Sequence, residues 1–237
     1  MKFKPVFFGL IIMLSSAAVL AQAVIITPKK TTYRRLKPLH DGKKTFTVRR
    51  PIARAATPAL SRRVTAAISP EKVLELSVRE ELSEYQWLEE ADYKVLFNQN
   101  RLLCVELWMS GTGAYPDSVT KRVVVDSATG APLRPADVFQ NLAALAKIIK
   151  KAQSAEIVSA TKEMKSDQEA RYLFSEANFT VTDLNQFSID ARGVTFYYDY
   201  GFPHVIQALE PAGEFHFTWA QLKPFVRSGG LLAHFIR

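Results

Sequence analysis

The chain has 237 residues, a length that predicts one or two domains. Hydrophobic residues make up 48% and charged residues 23%, which is typical of a globular protein, and fifteen Phe with eight Tyr are enough to fill a core. The single cysteine, Cys104, excludes an intramolecular disulfide. The net charge is +8, and it is distributed unevenly along the chain.

The first 23 residues are typical of a cleavable signal peptide. Lys2 and Lys4 precede an apolar stretch at residues 6–14, and residues 21–23 (AQA) form a small-residue cleavage site. The apolar stretch is shorter than the about 20 residues that span a bilayer. We therefore expect cleavage after residue 23, no transmembrane segment afterwards, and a periplasmic or secreted location. An uncleaved membrane anchor is the alternative.

Positive charge is concentrated just after this segment. Residues 24–67 contain twelve Lys and Arg and one acid, whereas residues 68–237 contain seventeen Lys and Arg and twenty-two Asp and Glu. Residues 24–42 show no sustained periodicity and are predicted to be a basic flexible arm. A solvated tether and attachment to an anionic envelope surface are its alternative roles, whereas a nucleic-acid partner does not suit an exported location. The charges expected to contact such a surface are Lys29, Lys30, Arg34 and Arg35.

Residues 43–237 are predicted to form one α+β domain. Residues 44–48 alternate between polar and apolar and predict the first strand. A Thr-Pro pair at 57–58 predicts the start of a helix, and a Ser-Pro pair at 69–70 predicts a second helix that continues to about residue 82.

The middle of the chain is rich in β-strand signals. Strands are predicted at residues 93–98, 101–110 and 118–126, separated by a turn at 98–100 and a Gly-rich loop at 111–117. Strands joined by such turns favour an antiparallel meander.

Helices and strands alternate in blocks after that. Two helices are predicted over residues 141–153 and 156–174, followed by strands at 187–189, 193–200 and 214–218. Residues 218–221 (TWAQ) match a capping box and predict a last short helix that ends near Phe225. Strands followed by helices and then by strands favour an α+β fold over strict βαβ alternation.

Four segments together carry a family resemblance. They are residues 111–118 (GTGAYPDS), 123–139 (VVVDSATGAPLRPADVF), 187–200 (FSIDARGVTFYYDY) and 214–226 (EFHFTWAQLKPFV). Their order and spacing resemble the extracytoplasmic domain of unknown function of RsiV-type anti-sigma factors, and a similar domain accompanies some peptidoglycan deacetylase modules. The resemblance implies an α+β envelope domain and, in the anti-sigma factors, direct binding of lysozyme. It implies no catalytic residue, and Tyr115 stands where family members often have His.

The sequence contains no pattern that predicts catalysis. None of the four histidines belongs to a metal or catalytic motif, so no metal, cofactor or catalytic residue is predicted. Paired carboxylates would suit a glycosidase, but solvated surface positions are the favoured interpretation of Glu80-Glu81 and Glu89-Glu90. Cys104 is predicted to be a buried core thiol, and His216 is predicted to be exposed on its strand.

Two segments are candidates for ligand contact. The Gly-rich loop offers Thr112, Tyr115 and Asp117, and the aromatic run at 196–203 offers Tyr197 and Phe202. We therefore expect an exported cell-envelope binding module whose ligand is peptidoglycan or a lysozyme-like protein. A hydrolase of envelope polymers and a surface-association protein acting through its basic arm are the alternatives.

Overall fold

The computed structural model describes residues 24–162, 164 and 172–236, and its described elements form an α+β fold as predicted. A six-stranded sheet has the spatial order of the chain: β1 (Ile25–Arg34), β2 (Thr45–Arg54), β3 (Leu88–Gln99), β4 (Leu102–Thr112), β5 (Pro116–Asp126) and β6 (Ala131–Pro132). A second sheet contains β7 (Phe187–Ile189), β8 (Gly193–Tyr197) and β9 (Glu214–Thr218). The α-helices that lie wholly within the described residues are α1 (Pro58–Ala67), α2 (Pro70–Val73), α3 (Val78–Ser83), α4 (Pro135–Val138), α5 (Leu142–Thr161) and α6 (Trp219–Leu222).

The predicted meander is confirmed by β3, β4 and β5, which pair antiparallel in sequence order. Asn100 and Arg101 both have positive φ, at 53° and 66°, as a tight two-residue hairpin turn requires. Alternate residues of β4 then face two different cores. Leu102 and Cys104 pack in the core with the smaller sheet, whereas Leu103 packs in the core with α1.

The flexible-arm prediction is wrong for the segment after residue 24. Residues 25–34 form β1, which pairs with β2 from Ile25↔Arg54 to Arg34↔Thr45. Tyr33 stacks on Phe46 with ring centroids 5.1 Å apart, and Phe46 belongs to a third, small hydrophobic core that also contains Val48 and Leu88. The prediction failed because β1 buries little and derives its order from pairing with β2, the longer version of the strand predicted at 44–48. We call β1, β2 and the connecting residues 35–44 the N-terminal hairpin.

Opposite charges dock the N-terminal hairpin onto the rest of the chain. Four of its basic side chains form ion pairs with acids between residues 71 and 92, so acids later in the chain balance part of its positive charge. The pairs are Arg35–Glu81, Lys43–Glu89, Arg49–Asp92 and Arg50–Glu71.

The pair of Arg35 and Glu81 is the buried one, with 0% and 4% of the side chains exposed. The Arg35 guanidinium donates to the Glu81 carboxylate at 3.3 Å and to the backbone carbonyls of Glu81, Lys43 and Leu88 at 2.8, 2.9 and 2.8 Å. The Glu81 carboxylate also accepts from the Leu88 amide at 3.0 Å. The solvated position predicted for Glu81 and the anionic-surface contact predicted for Arg35 are therefore both wrong.

This ion pair matters because the strand pairing beside it is short. The parallel ladder between β2 and β3 contains only Thr47↔Glu90 and Val48↔Ala91. Arg35 supplements it by joining the hairpin loop, the end of α3 and the start of β3.

Two helix predictions are confirmed at their starts and corrected in extent. Thr57 caps α1, and Thr218 with Gln221 forms the predicted capping box of α6, which ends at Leu222 and not near Phe225. The helix predicted from residue 71 to about 82 is broken into α2 and α3, because Glu75 has a φ of 58° and burial of Leu74 and Leu76 takes precedence over helix continuity.

The helices predicted over residues 141–153 and 156–174 show the opposite difference, since they are joined. The single helix α5 spans Leu142–Thr161, and the rest of the second prediction lies partly outside the described residues.

Loss of the Glu81 carboxylate should destabilise the fold strongly. Removing one partner of a buried ion pair costs about 3–5 kcal/mol, since the other charge stays buried. We expect Glu81→Ala to lower the free energy of unfolding, measured by urea denaturation, by about that amount. The control Glu84→Ala removes an exposed carboxylate next to α3 and should cost less than about 0.5 kcal/mol. Equal effects of the two substitutions would contradict the role given to this pair.

The thiol of Cys104 should be chemically silent in the folded protein. Burial raises its pKa to about 12, so about one thiol in ten thousand is ionised at pH 8. We expect no alkylation by iodoacetamide in the native state and rapid alkylation in guanidinium chloride, both followed by intact mass. Rapid labelling of the native protein at pH 8 would show that Cys104 is accessible.

Candidate functional site

Three connections meet at one end of the large sheet, which we call the loop end. They are the hairpin loop at residues 35–44, the turn from α3 to β3 at 84–87, and the turn from β4 to β5 at 113–115. They meet because β2 and β3 run parallel, so the connections that lead into these two strands lie at the same end of the sheet. The end of β4 lies there too, since β4 is antiparallel to β3 and Gly111 pairs with Leu88 at the start of β3. Connections of this kind commonly carry function on a rigid sheet.

The α3–β3 turn holds the other two connections in place. The Trp87 carbonyl accepts from the Thr112 amide at 3.0 Å and from the Lys43 ammonium at 3.1 Å. The buried side chain of Gln86 accepts from the Leu39 amide at 2.9 Å and donates to the Lys37 carbonyl at 3.0 Å. The loop end is therefore ordered by hydrogen bonds of the backbone and of buried side chains.

A groove of about 360 Å³ lies between these connections. Its polar groups converge: Lys43 Nζ lies 2.6 Å from Glu89 Oε1. The hydrogen bond from Lys43 lowers the pKa of Glu89 against the opposing effect of burial, and a hydrogen bond from Thr112 lowers it further. The groove thus presents a cation, a carboxylate and a hydroxyl, with Leu39 and Tyr85 also lining it.

Exposed apolar side chains lie on the three connections that meet at the loop end. Leu36 is 94% exposed, Leu39 65%, Tyr85 60% and Tyr115 60%. Tyr115 stacks against His204 with ring centroids 6.1 Å apart, and the neighbouring Val205 is also exposed. Apolar surface gathered around a polar groove is typical of a binding site.

The predicted contact residues of the Gly-rich loop lie at this end of the sheet. Thr112 lines the groove, and Tyr115 is exposed at the tip of the turn. Asp117 is exposed at the start of β5, where its carboxylate accepts from the Ser118 amide at 2.7 Å. Much of the predicted loop is strand, since β4 continues to Thr112 and β5 begins at Pro116.

The two residues predicted from the aromatic run lie elsewhere. Tyr197 is half-buried, hydrogen-bonded to Ser188 at 2.8 Å, and covered by the Arg122 guanidinium 3.5 Å from its ring centroid. It therefore connects the smaller sheet to β5. Phe202 is buried and packs against Phe174 with ring centroids 5.3 Å apart.

The groove also contains residues that the sequence did not single out. Leu39 and Lys43 came from the stretch around the end of the predicted arm, and Tyr85 followed a predicted helix. Glu89 belonged to a carboxylate pair that was expected to be solvated; it is half-exposed, with its carboxylate bound to Lys43. No local sequence pattern predicts this cluster, because docking of the hairpin places Leu39 and Lys43 beside residues more than 40 positions later in the chain.

A second cavity of about 270 Å³ contains two carboxylates, Glu156 and Glu210. Glu156 accepts from the Tyr200 hydroxyl at 2.7 Å and from the Gly213 amide at 3.2 Å. Burial, with a smaller effect of the charge on Asp199, raises the pKa of Glu210.

Two other features are absent from the described residues. No group of three or more His, Cys, Asp or Glu within residues 24–162, 164 and 172–236 is arranged to hold a metal ion. No helix in that part of the chain combines the length and apolar character needed to cross a membrane.

Comparison with known proteins identifies the fold. No protein-family model and no curated protein matches the sequence. The structure is similar to a DUF3298 family protein from Pseudomonas aeruginosa, with a TM-score of 0.62 and 15% identity over 88% of this chain and 96% of that chain. It is also similar to a member of the DUF3298 family from Bacteroides fragilis, with a TM-score of 0.57 and 15% identity over 90% and 98%.

The chain therefore has the fold of a domain of unknown function. At this level of identity the likeness concerns the fold alone and assigns no ligand. The narrower resemblance to RsiV-type anti-sigma factors stays a prediction.

The close contact of Gly111 with Trp87 offers a test of the loop end. A Cβ at Gly111 would lie 1.9 Å from the Trp87 carbonyl oxygen, whereas a Cβ at Gly113 would meet nothing within 4 Å. We expect Gly111→Ala to lower the free energy of unfolding by about 1–3 kcal/mol, as overpacking does, and Gly113→Ala to leave it nearly unchanged. Urea denaturation of both variants measures the difference. Equal stability would mean that the two segments are not held together.

Proposed function

We propose that this protein is an exported, non-enzymatic binding module of the cell envelope, and that its ligand is bound at the loop end. The observation that carries the proposal is the groove itself, where Lys43, Glu89 and Thr112 are surrounded by exposed Leu39 and Tyr85. The signal-peptide pattern of residues 1–23 supports the exported location, although these residues lie outside the described part of the chain.

Peptidoglycan is the ligand that this chemistry favours. Its peptide stems carry amides, carboxylates and amines, which match a groove that offers a cation, a carboxylate and a hydroxyl side by side. Its sugars provide faces on which the exposed ring of Tyr85 can stack. A lysozyme-like protein is the alternative, because the apolar rim formed by Leu36, Leu39 and Tyr115 also suits a protein partner.

Binding to peptidoglycan should depend on the groove. The full chain is expressed, purified after export, and pelleted with purified peptidoglycan at low and high salt. We expect salt-resistant pelleting that Tyr85→Ala and Thr112→Val reduce several-fold, because both residues line the groove. Tyr172→Ala is the matched control, since Tyr172 is 77% exposed and does not line the groove.

The same experiment separates the alternatives. Release of the protein from the pellet by a catalytically inactive lysozyme, which leaves the polymer intact, would indicate that lysozyme and peptidoglycan compete for the loop end. Pelleting that is lost at high salt but unchanged in Tyr85→Ala would assign attachment to the basic residues Lys29, Lys30 and Arg34. No pelleting under either condition would remove peptidoglycan as the ligand.

The hydrolase alternative rests on the cavity of Glu156 and Glu210. A carboxyl group with a raised pKa can serve as a general acid beside a second carboxylate. If the protein is a hydrolase, incubation releases soluble fragments and Glu210→Gln abolishes the release. A binding module leaves the polymer intact, which is the outcome that we expect.

A further inference from the structure

The strand β1 forms one edge of the large sheet, since within the described residues only β2 is its neighbour. It is ten residues long, whereas proteins usually keep edge strands short or cover them, because an open edge offers unpaired backbone groups to another chain.

The register shows which backbone groups of β1 are open. Pro28 lies opposite Pro51, and neither residue has an amide hydrogen, so this pair is not hydrogen-bonded. Hydrogen-bonded and non-hydrogen-bonded residue pairs alternate along an antiparallel ladder, and the Arg35 amide donates to the Lys44 carbonyl at 2.9 Å. The odd-numbered residues of β1 therefore form the backbone hydrogen bonds with β2. The amides and carbonyls of Lys30, Thr32 and Arg34 point outward from the sheet.

The same stretch of β1 is strongly positive. Lys29, Lys30 and Arg34 are exposed and form no ion pair within the described part of the chain. Their cross-strand neighbours add no negative charge, since Lys29 lies opposite Arg50 and Lys30 opposite Arg49. The two arginines have acidic partners of their own, Glu71 and Asp92, which leaves the charge of β1 uncompensated.

This charge decides what can add to the edge. A second copy pairing through its own β1 would place lysines and an arginine of both copies together, and like charges across a ladder are destabilising. An acidic strand would instead neutralise them. Lys30, Thr32 and Arg34 share one face, so carboxylates at alternate positions of a partner strand would meet both cations.

We propose that β1 binds an extended acidic peptide segment of a protein partner, which adds to the large sheet as a further strand beside residues 30–34. The outward amides and carbonyls provide the main-chain hydrogen bonds, and the exposed cations select an acidic sequence. This site is separate from the groove at the loop end, so either proposal can fail without the other.

The probe is a fluorescent peptide of alternating threonine and glutamate, titrated against the full chain purified after export and followed by fluorescence anisotropy. We expect binding that weakens with salt and that is about tenfold weaker for a peptide of the same sequence with N-methylated backbone amides, which keeps the charge but removes hydrogen bonds. Lys30→Glu should also weaken it, whereas Tyr85→Ala should not.

Residue 32 provides the matched pair of variants. Thr32→Pro removes one outward amide, as Pro28 does naturally, and should weaken peptide binding several-fold at an unchanged Tm. Thr32→Ala removes the hydroxyl, which contacts Thr47, but keeps the amide and should bind like the wild type. Equal binding of the methylated and unmethylated peptides would show that charge attraction alone accounts for binding, and would overturn the proposal that the peptide adds as a strand. Absence of binding by the acidic peptide would overturn the proposal as a whole.

Discussion

The side chain of Arg35, the first residue of the hairpin loop, is fully buried with its guanidinium 4.6 Å from the centre of the Phe46 ring. A buried guanidinium is tolerated only when its donors are satisfied, and Arg35 reaches the carboxylate of Glu81 and three backbone carbonyls. These acceptors lie on the hairpin loop, on α3 and at the start of β3. The planar, forked shape of arginine suits such a junction, whereas lysine offers one point charge.

The arrangement of both proposed binding surfaces depends on this junction. It holds the loop at residues 35–44 against the start of β3, and that contact forms the groove with Lys43 beside Glu89. It also holds the N-terminal hairpin in the sheet, where the β2–β3 ladder contributes two residue pairs. The exposed edge of β1 exists because the hairpin is docked. One buried ion pair thus positions the N-terminal hairpin, which contributes residues to the polar groove and carries the basic sheet edge.

The sequence predicts the parts of the fold that local patterns determine. Short β segments separated by turn signals predicted β3, β4 and β5, the Thr57 and Thr218 caps predicted helix starts, and an apolar run predicted that Cys104 is buried in the core. It could not predict β1, whose mostly exposed residues gain their order from a partner strand, nor the burial of Glu81, whose neighbours in sequence are polar. For the same reason the sequence singled out Thr112 and Tyr115, which lie at the loop end, but not Lys43 and Tyr85, which line the groove there.

The central claim is that the basic segment after residue 24 is a docked strand of the sheet. Hydrogen–deuterium exchange of the native protein, resolved for peptides that cover residues 25–34 and 45–54, tests it most directly. The odd-numbered amides of β1 bond to β2, so we expect them to exchange far more slowly than an unstructured chain, with protection comparable to that of β2. Complete exchange of residues 25–34 within seconds, while β3 and β4 stay protected, would contradict the account and restore a flexible arm.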